Sequence, residues 1–238
     1  MPPTMPRLAT VLFAAATAVA PLPAQVSENE LAARRRLMVD RQIAARDVRD
    51  ARVLAAMRKV ERHRFVPSAL IANAYDDSPL PIGFDQTISQ PYIVAYMTEA
   101  LGVERRHKVL EVGTGSGYQA AVLGELAASV YTIEIVPQLA QRASATLESL
   151  GYSNVHVRSG DGYGGWPEQA PFDRIMVTAA PEEIPKPLID QLAAQGRLVI
   201  PVGAQGATQW LTIVEKTAKG VVQRRMLEVR FVPFTRRR

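Results

Sequence analysis

Val109-Leu110-Glu111-Val112-Gly113-Thr114-Gly115-Ser116-Gly117-Tyr118-Gln119 reads as the end of a buried strand, a glycine turn and the start of a helix. Glycines at such a turn let the backbone bend tightly and approach a ligand that side chains would repel. The strand begins at Lys108, and residues 118–126 carry the helix. The alternation continues downstream. Val130-Tyr131-Thr132-Ile133-Glu134 is a second strand, and Pro137 suits the first position of a helix. That helix lines up Leu139, Ala140, Ala143, Leu147 and Leu150 on one face and stops at Gly151. Residues 155–157 and 172–179 read as further strands, 188–194 as a helix closed by Gly196, and 198–201 as a strand. Two last strand-like runs occupy 210–215 and 226–232. Alternation of this kind predicts an α/β fold, a mostly parallel twisted sheet with helices on both faces.

Upstream of the quoted stretch the composition changes. Residues 30–59 hold many Ala, Arg, Leu and Met and no Gly or Pro, so an N-terminal helical extension is expected. Within it Asp50 is placed to cap a helix with Val53, Met57 and Val60 on one face. Residues 76–91 contain Asp77, Ser78, Pro79, Pro81, Gly83 and Asp85 and read as one long loop, the natural lid. The first residues look like an address. Arg7 precedes an uncharged apolar run from Leu8 to Ala20, and Pro21-Leu22-Pro23-Ala24 ends in a small residue, the pattern of a secretory signal peptide. The expected organisation is a leader at 1–24, a helical region with the lid loop at 25–100 and a core at 101–238, with 25–238 forming one domain. An exported, periplasmic location follows from the leader, and a cytoplasmic one if translation starts at Met38 or the leader is not used.

Composition narrows the chemistry. The chain of 238 residues has no cysteine, which excludes disulfides, thiolate metal sites and cysteine nucleophiles. Its three histidines, His63, His107 and His156, are too far apart for a helical metal motif, so no metal site is expected. The formal charge of +5 is concentrated in Arg34-Arg35-Arg36 and Arg236-Arg237-Arg238, runs that could touch nucleic acid but are more often solvated.

Glu134 ends the second strand, 21 residues after Gly113, where a carboxylate can accept hydrogen bonds from the ribose hydroxyls of a nucleotide cofactor. A dinucleotide fingerprint has two residues between its second and third glycines, whereas here only Ser116 intervenes. S-Adenosylmethionine keeps the ribose and lacks the phosphate, and spacing alone leaves the choice open. Asp161-Gly162, after the third strand, either receives an adenine or forms a simple turn.

The quoted stretch resembles the first motif of class I S-adenosylmethionine-dependent methyltransferases, and the chain as a whole resembles the protein-L-isoaspartate O-methyltransferases. The narrower likeness rests on ordered blocks: Arg64-Phe65-Val66-Pro67, Leu80-Pro81-Ile82-Gly83, Gln86-Thr87-Ile88-Ser89-Gln90-Pro91 and Gly160-Asp161-Gly162. Phe172-Asp173, Val177-Thr178-Ala179-Ala180-Pro181, Pro201-Val202-Gly203 and Arg230-Phe231-Val232-Pro233 complete the set. The resemblance implies a Rossmann-like three-layer sandwich and methyl transfer from S-adenosyl-L-methionine to the free α-carboxyl of L-isoaspartyl residues in damaged proteins and peptides. The ester then collapses to a succinimide, and hydrolysis returns some normal aspartate.

By the same resemblance Glu111, Gly113, Thr114, Gly115, Gly117, Glu134, Asp161, Gly162 and Thr235 are the cofactor-binding candidates. Ser89 would be the active-site hydroxyl, and Thr87, Ile88 and Gln90 its substrate-side neighbours. A monomer is expected, with no nucleic acid as partner and, once the leader is cut, no stable membrane contact. Read without it, Ser89 is a helix N-cap, Glu111 pairs with loop amides, Trp166 and Phe172 are packing residues, and His63 sits exposed on a charged helix end. A nucleic-acid methyltransferase, another small-molecule methyltransferase or a non-catalytic cofactor-binding relic on the same fold are the alternatives. Against the first, Thr178-Ala179-Ala180-Pro181 stands where an amino-methylating Asn-Pro-Pro-Tyr or Asp-Pro-Pro-Tyr motif would be.

Overall fold

The computed structural model describes residues 26–236; the leader pattern, Arg237 and Arg238 lie outside them. The quoted stretch folds as read. Strand β3 (Lys108–Val112) runs into the glycine turn and then into helix α4 (Tyr118–Gly124). Around β3 stand β4 (Ser129–Glu134), β5 (Val155–Ser159), β6 (Phe172–Val177), β7 (Leu192–Val202), β8 (Gln209–Thr217) and β9 (Gly220–Val229). They form one seven-stranded sheet in the order β5-β4-β3-β6-β7-β8-β9. The β3–β4, β4–β5, β3–β6 and β6–β7 pairs are parallel, and the β7–β8 and β8–β9 pairs antiparallel. The direction of strand addition reverses between β3 and β6, so a crevice opens beyond their carboxyl ends, where ligands of such sheets bind.

Both faces of the sheet are covered, as a parallel sheet requires. Alternate residues of β3 serve different layers. Val109 packs with Leu101 of α3 (Pro91–Leu101), Leu123 of α4 and Leu139 of α5 (Pro137–Ser149), whereas Leu110 and Val112 pack with Leu188 of α6 (Lys186–Asp190). Trp166 and Phe172 belong to this second layer, as packing residues.

The N-terminal extension is helical. It consists of α1 (Glu28–Leu37), a π-type continuation over Met38–Ala44 and α2 (Ala51–Lys59). Asp50 caps α2 by accepting from Arg52 N at 2.8 Å, and Val53, Met57 and Val60 are buried. Two arginines of the run are paired, Arg34 to Glu30 at 2.6 Å and Arg35 to Glu61 at 3.3 Å. Among the described residues no helix is long and apolar enough to cross a membrane.

Two readings are corrected. The turn-rich stretch 76–91 contains an antiparallel hairpin, β1 (Leu80–Gly83) and β2 (Gln86–Ile88). Its Phe84 and Asp85 both take φ of 55°, a left-handed turn that suits a tight hairpin. The helix expected at 188–194 ends at Asp190, and Leu192 already pairs with Phe172 in the sheet. A β-bulge lies within that pairing, and nearby Gln195 takes φ of 62°, so the apolar spacing mimicked a helix.

Candidate cofactor cleft and acceptor groove

The glycine turn is pinned at both ends. Gly113 N and Thr114 N donate to Ile133 O at 2.8 and 3.3 Å, and Gly117 N donates to Thr114 O at 2.8 Å. Gly113, at φ 99°, sits against the next strand's exit: a Cβ there would lie 2.3 Å from Thr178 Oγ1. That hydroxyl donates to Gly113 O at 2.7 Å and so holds the turn from the β6 side. Glu134 holds it from the β4 side. Its carboxylate accepts from Gly115 N at 2.7 Å and from Val136 N at 3.0 Å. A carboxylate has about four acceptor positions, so two remain for a ligand.

These groups wall a cleft beyond β3, β4 and β6. Gly113, Gly115, Ile133, Glu134 and Ile135 form its floor, Gly162 and Thr178 its sides, and Val232, Pro233, Phe234 and Thr235 close it from the C-terminal segment. That segment is fixed, since Ala180 N donates to Val232 O at 2.9 Å and Phe234 N to Ala180 O at 3.0 Å. Gly162 is required at its position because a Cβ would meet Val112 Cγ1 at 2.3 Å. Among the described residues Glu134 is the only ionisable one of the lining, and no described Lys or Arg lines the cleft. A nucleoside carrying positive charge fits this described lining, which holds one carboxylate.

A wider groove meets the cleft from the other side. Its walls include Ser89, Gln90, Ile93, Gln205, Glu228 and Arg230. Thr87, Thr178, Val232 and Pro233 border both spaces. A smaller recess beneath, lined by Thr87, Ile88, Ser89, Thr114 and Gln119 among others, connects the hairpin to the glycine turn. Ser89 is not the helix cap; Gln90 occupies the cap position of α3, with Pro91 as the first helical residue. The lid is an ordered hairpin. Ile82 is buried above Gly115, and Arg142 of α5 donates to Ile82 O at 2.5 Å.

The structure thus brings Gly113, Gly115, Glu134, Gly162, Thr235 and Thr87 to one cleft, and Ser89, Gln90 and Thr87 to the groove beside it. Three candidates stand behind these walls. Gly117 caps α4 and faces Ala143 and Leu147 of α5. Asp161 caps the turn at Gly162–Gly164 and pairs with Arg236 at 3.4 Å, while that guanidinium lies 3.7 Å over the Tyr163 ring. Glu111 is fully buried. Its partner is the Thr132 hydroxyl at 2.5 Å, not the loop amides, and Thr132 in turn lies 2.6 Å from Thr114 Oγ1. Burial pushes the Glu111 carboxyl up to about 8, opposed by the Thr132 hydrogen bond and helped by the nearby Glu134. Thr178 and Ile135 were not singled out in the sequence, although Thr178 lies in a quoted block; a threonine at a strand's end gives no signal of its own.

Known proteins resemble this chain in sequence and fold. The family model described as Protein-L-isoaspartate(D-aspartate) O-methyltransferase (PCMT) matches residues 33–238. A Gloeobacter violaceus protein named Protein-L-isoaspartate O-methyltransferase is 62% identical over 199 residues, covering 84% of this chain and 97% of its own. An Opitutus terrae protein of the same name is 59% identical, covering 84% of this chain and 85% of its own. A solved structure of a protein-L-isoaspartate O-methyltransferase superposes with a TM-score of 0.76 at 30% identity, over 83% of this chain and 65% of that one.

Proposed function

The chain belongs to the protein-L-isoaspartate(D-aspartate) O-methyltransferase family, and from this we propose how its cleft and groove divide the work of methylating isoaspartyl carboxyls. It is an S-adenosyl-L-methionine-dependent methyltransferase that starts the repair of damaged proteins. The observation that supports our assignment of sites is the shared wall. Thr87 and Thr178 border both the cleft and the open groove, so two ligands held there meet at one point.

When bound, the cofactor would supply a methyl group on a sulfonium, open to displacement by a carboxylate oxygen with the carbon–sulfur electron pair leaving to sulfur. The chain's own part is holding and aligning. Glu134 would accept hydrogen bonds from the ribose hydroxyls while keeping Gly115 in place, and Gly162 would give the adenine end room. Ser89 donates a hydrogen bond that orients the acceptor carboxylate without adding charge. No general base is needed, since a carboxylate with a pKa of about 4 is already ionised at neutral pH. Alignment and exclusion of water supply the rate, up to about 7–11 kcal/mol in well-oriented systems. The ordered hairpin and the C-terminal segment serve that exclusion.

The nucleic-acid alternative loses its footing in the extension, where Arg34 and Arg35 are engaged in ion pairs. Offering methyl-labelled cofactor together with an isoaspartyl peptide and duplex and single-stranded oligonucleotides tests this. Label in the peptide alone is expected, and label in nucleic acid would overturn the reading.

We read the enzyme as acting alone, because one chain lines both spaces. The leader pattern supports export to the periplasm with cleavage after Ala24. N-terminal sequencing of the protein recovered from that compartment should begin at Gln25; an intact Met1 in the cytoplasm would overturn this.

A further inference from the structure

His63, expected on an exposed helix end, is buried in the short turn after α2, with only 4% of its surface accessible. Its Nδ1 lies 2.7 Å from Tyr75 Oη, and among the described residues its Nε2 has no hydrogen-bond partner. A histidine nitrogen shut away from water with nothing to bind calls for an explanation. Glu28 Oε2 stands 3.7 Å from that nitrogen, too far for a hydrogen bond. Glu61 completes a cluster in which one ligand atom from each residue lies within 4.8 Å of the others.

We propose that Glu28, Glu61 and His63 bind a divalent transition-metal ion of the Zn2+ type, which fastens the first turn of α1 to the turn after α2. Ligand atoms about 2.0–2.2 Å from a tetrahedral ion stand about 3.3–3.5 Å apart, so the cluster needs to close only modestly. With Nδ1 donating to Tyr75, the lone pair on Nε2 points to the ion, and the tyrosine fixes the ring as an outer partner. One imidazole with two carboxylates suits Zn2+; an all-oxygen set would suit Mg2+ or Ca2+. Arg35 donates to Glu61 Oε1 at 3.3 Å, which leaves Oε2 for the metal. Helical histidine spacing could not disclose such a site, because its ligands come from two separate elements and only one is a histidine.

The test uses the purified chain, stripped with a chelator and titrated with Zn2+ by calorimetry. One Zn2+ per chain is expected, with a rise in melting temperature and no response to Mg2+. Glu28→Gln should weaken binding at least tenfold and abolish the thermal shift, with methyl transfer unchanged; the Glu28 side chain is 79% exposed, so this variant folds. His63→Gln should do the same where it folds. Absence of stoichiometric binding, or equal binding by the wild type and Glu28→Gln, would overturn the proposal.

Discussion

Glu134→Gln separates the two tasks assigned to Glu134. The carboxylate is 5% exposed and accepts from Gly115 N at 2.7 Å and Val136 N at 3.0 Å. Glutamine keeps one oxygen but turns the other into an amide donor that faces one of these N–H groups. Losing one hydrogen bond to a charged group costs about 1.5–3 kcal/mol. For a chain of this size that lowers the melting temperature by about 3–12 °C. A ribose hydroxyl held by the same carboxylate loses a comparable amount, which lowers cofactor affinity about 10- to 150-fold. Calorimetry with S-adenosylhomocysteine and with its analogue lacking both ribose hydroxyls, on both proteins, forms a cycle that isolates the contact. Removing the hydroxyls should weaken binding to the wild type and scarcely affect the variant. If the analogue loses as much on the variant as on the wild type, Glu134 does not hold the ribose.

Ser89→Ala should lower kcat/KM for an isoaspartyl peptide about 10- to 150-fold, the loss of one hydrogen bond to a charged acceptor, with cofactor affinity unchanged by calorimetry. Equal losses in both would remove Ser89 from the acceptor side. Gly162→Ala forces a methyl into Val112 Cγ1 at 2.3 Å and should cost about 1–3 kcal/mol in denaturant unfolding. Adding Val112→Ala should recover part of that cost, and strict additivity of the two changes would refute the steric account. Glu111 binds its proton more tightly when folded, at about 8, than at its unfolded value of 4.5. Its neutral form therefore favours folding fully below pH 4.5, and this contribution drains away as pH rises towards 8. Glu111→Gln should remove that decline, so the variant's melting temperature gains on the wild type between pH 5 and pH 8. Parallel profiles would show that Glu111 does not titrate there.

The sheet was legible because parallel strands write themselves as short apolar runs between helices, and β3, β4 and β6 follow that rule closely. Gly113 and Glu134 were legible because backbone approach and a strand-end carboxylate leave a fixed spacing. Other features depend on contacts between distant segments. Thr178 matters through a hydrogen bond to Gly113 O, 65 residues away, and no local pattern announces it. The hairpin at 80–88 was hidden by prolines and glycines that also spell loop. The burial of His63 depends on α1 and Tyr75 folding over it. Glu111 was placed correctly inside a strand, but its partner, Thr132, lies on the neighbouring strand, in a register that only the sheet defines.

The central claim is that the acceptor is an isoaspartyl carboxylate brought to the methyl donor where the cleft and the groove share the wall formed by Thr87 and Thr178. Two peptides that differ only in isoaspartate or aspartate at one position, incubated with the purified chain and methyl-labelled S-adenosylmethionine, test it most directly. Base-labile label on the isoaspartyl peptide alone is the predicted result. Equal labelling of the two peptides, or none while the cofactor still binds, would contradict it.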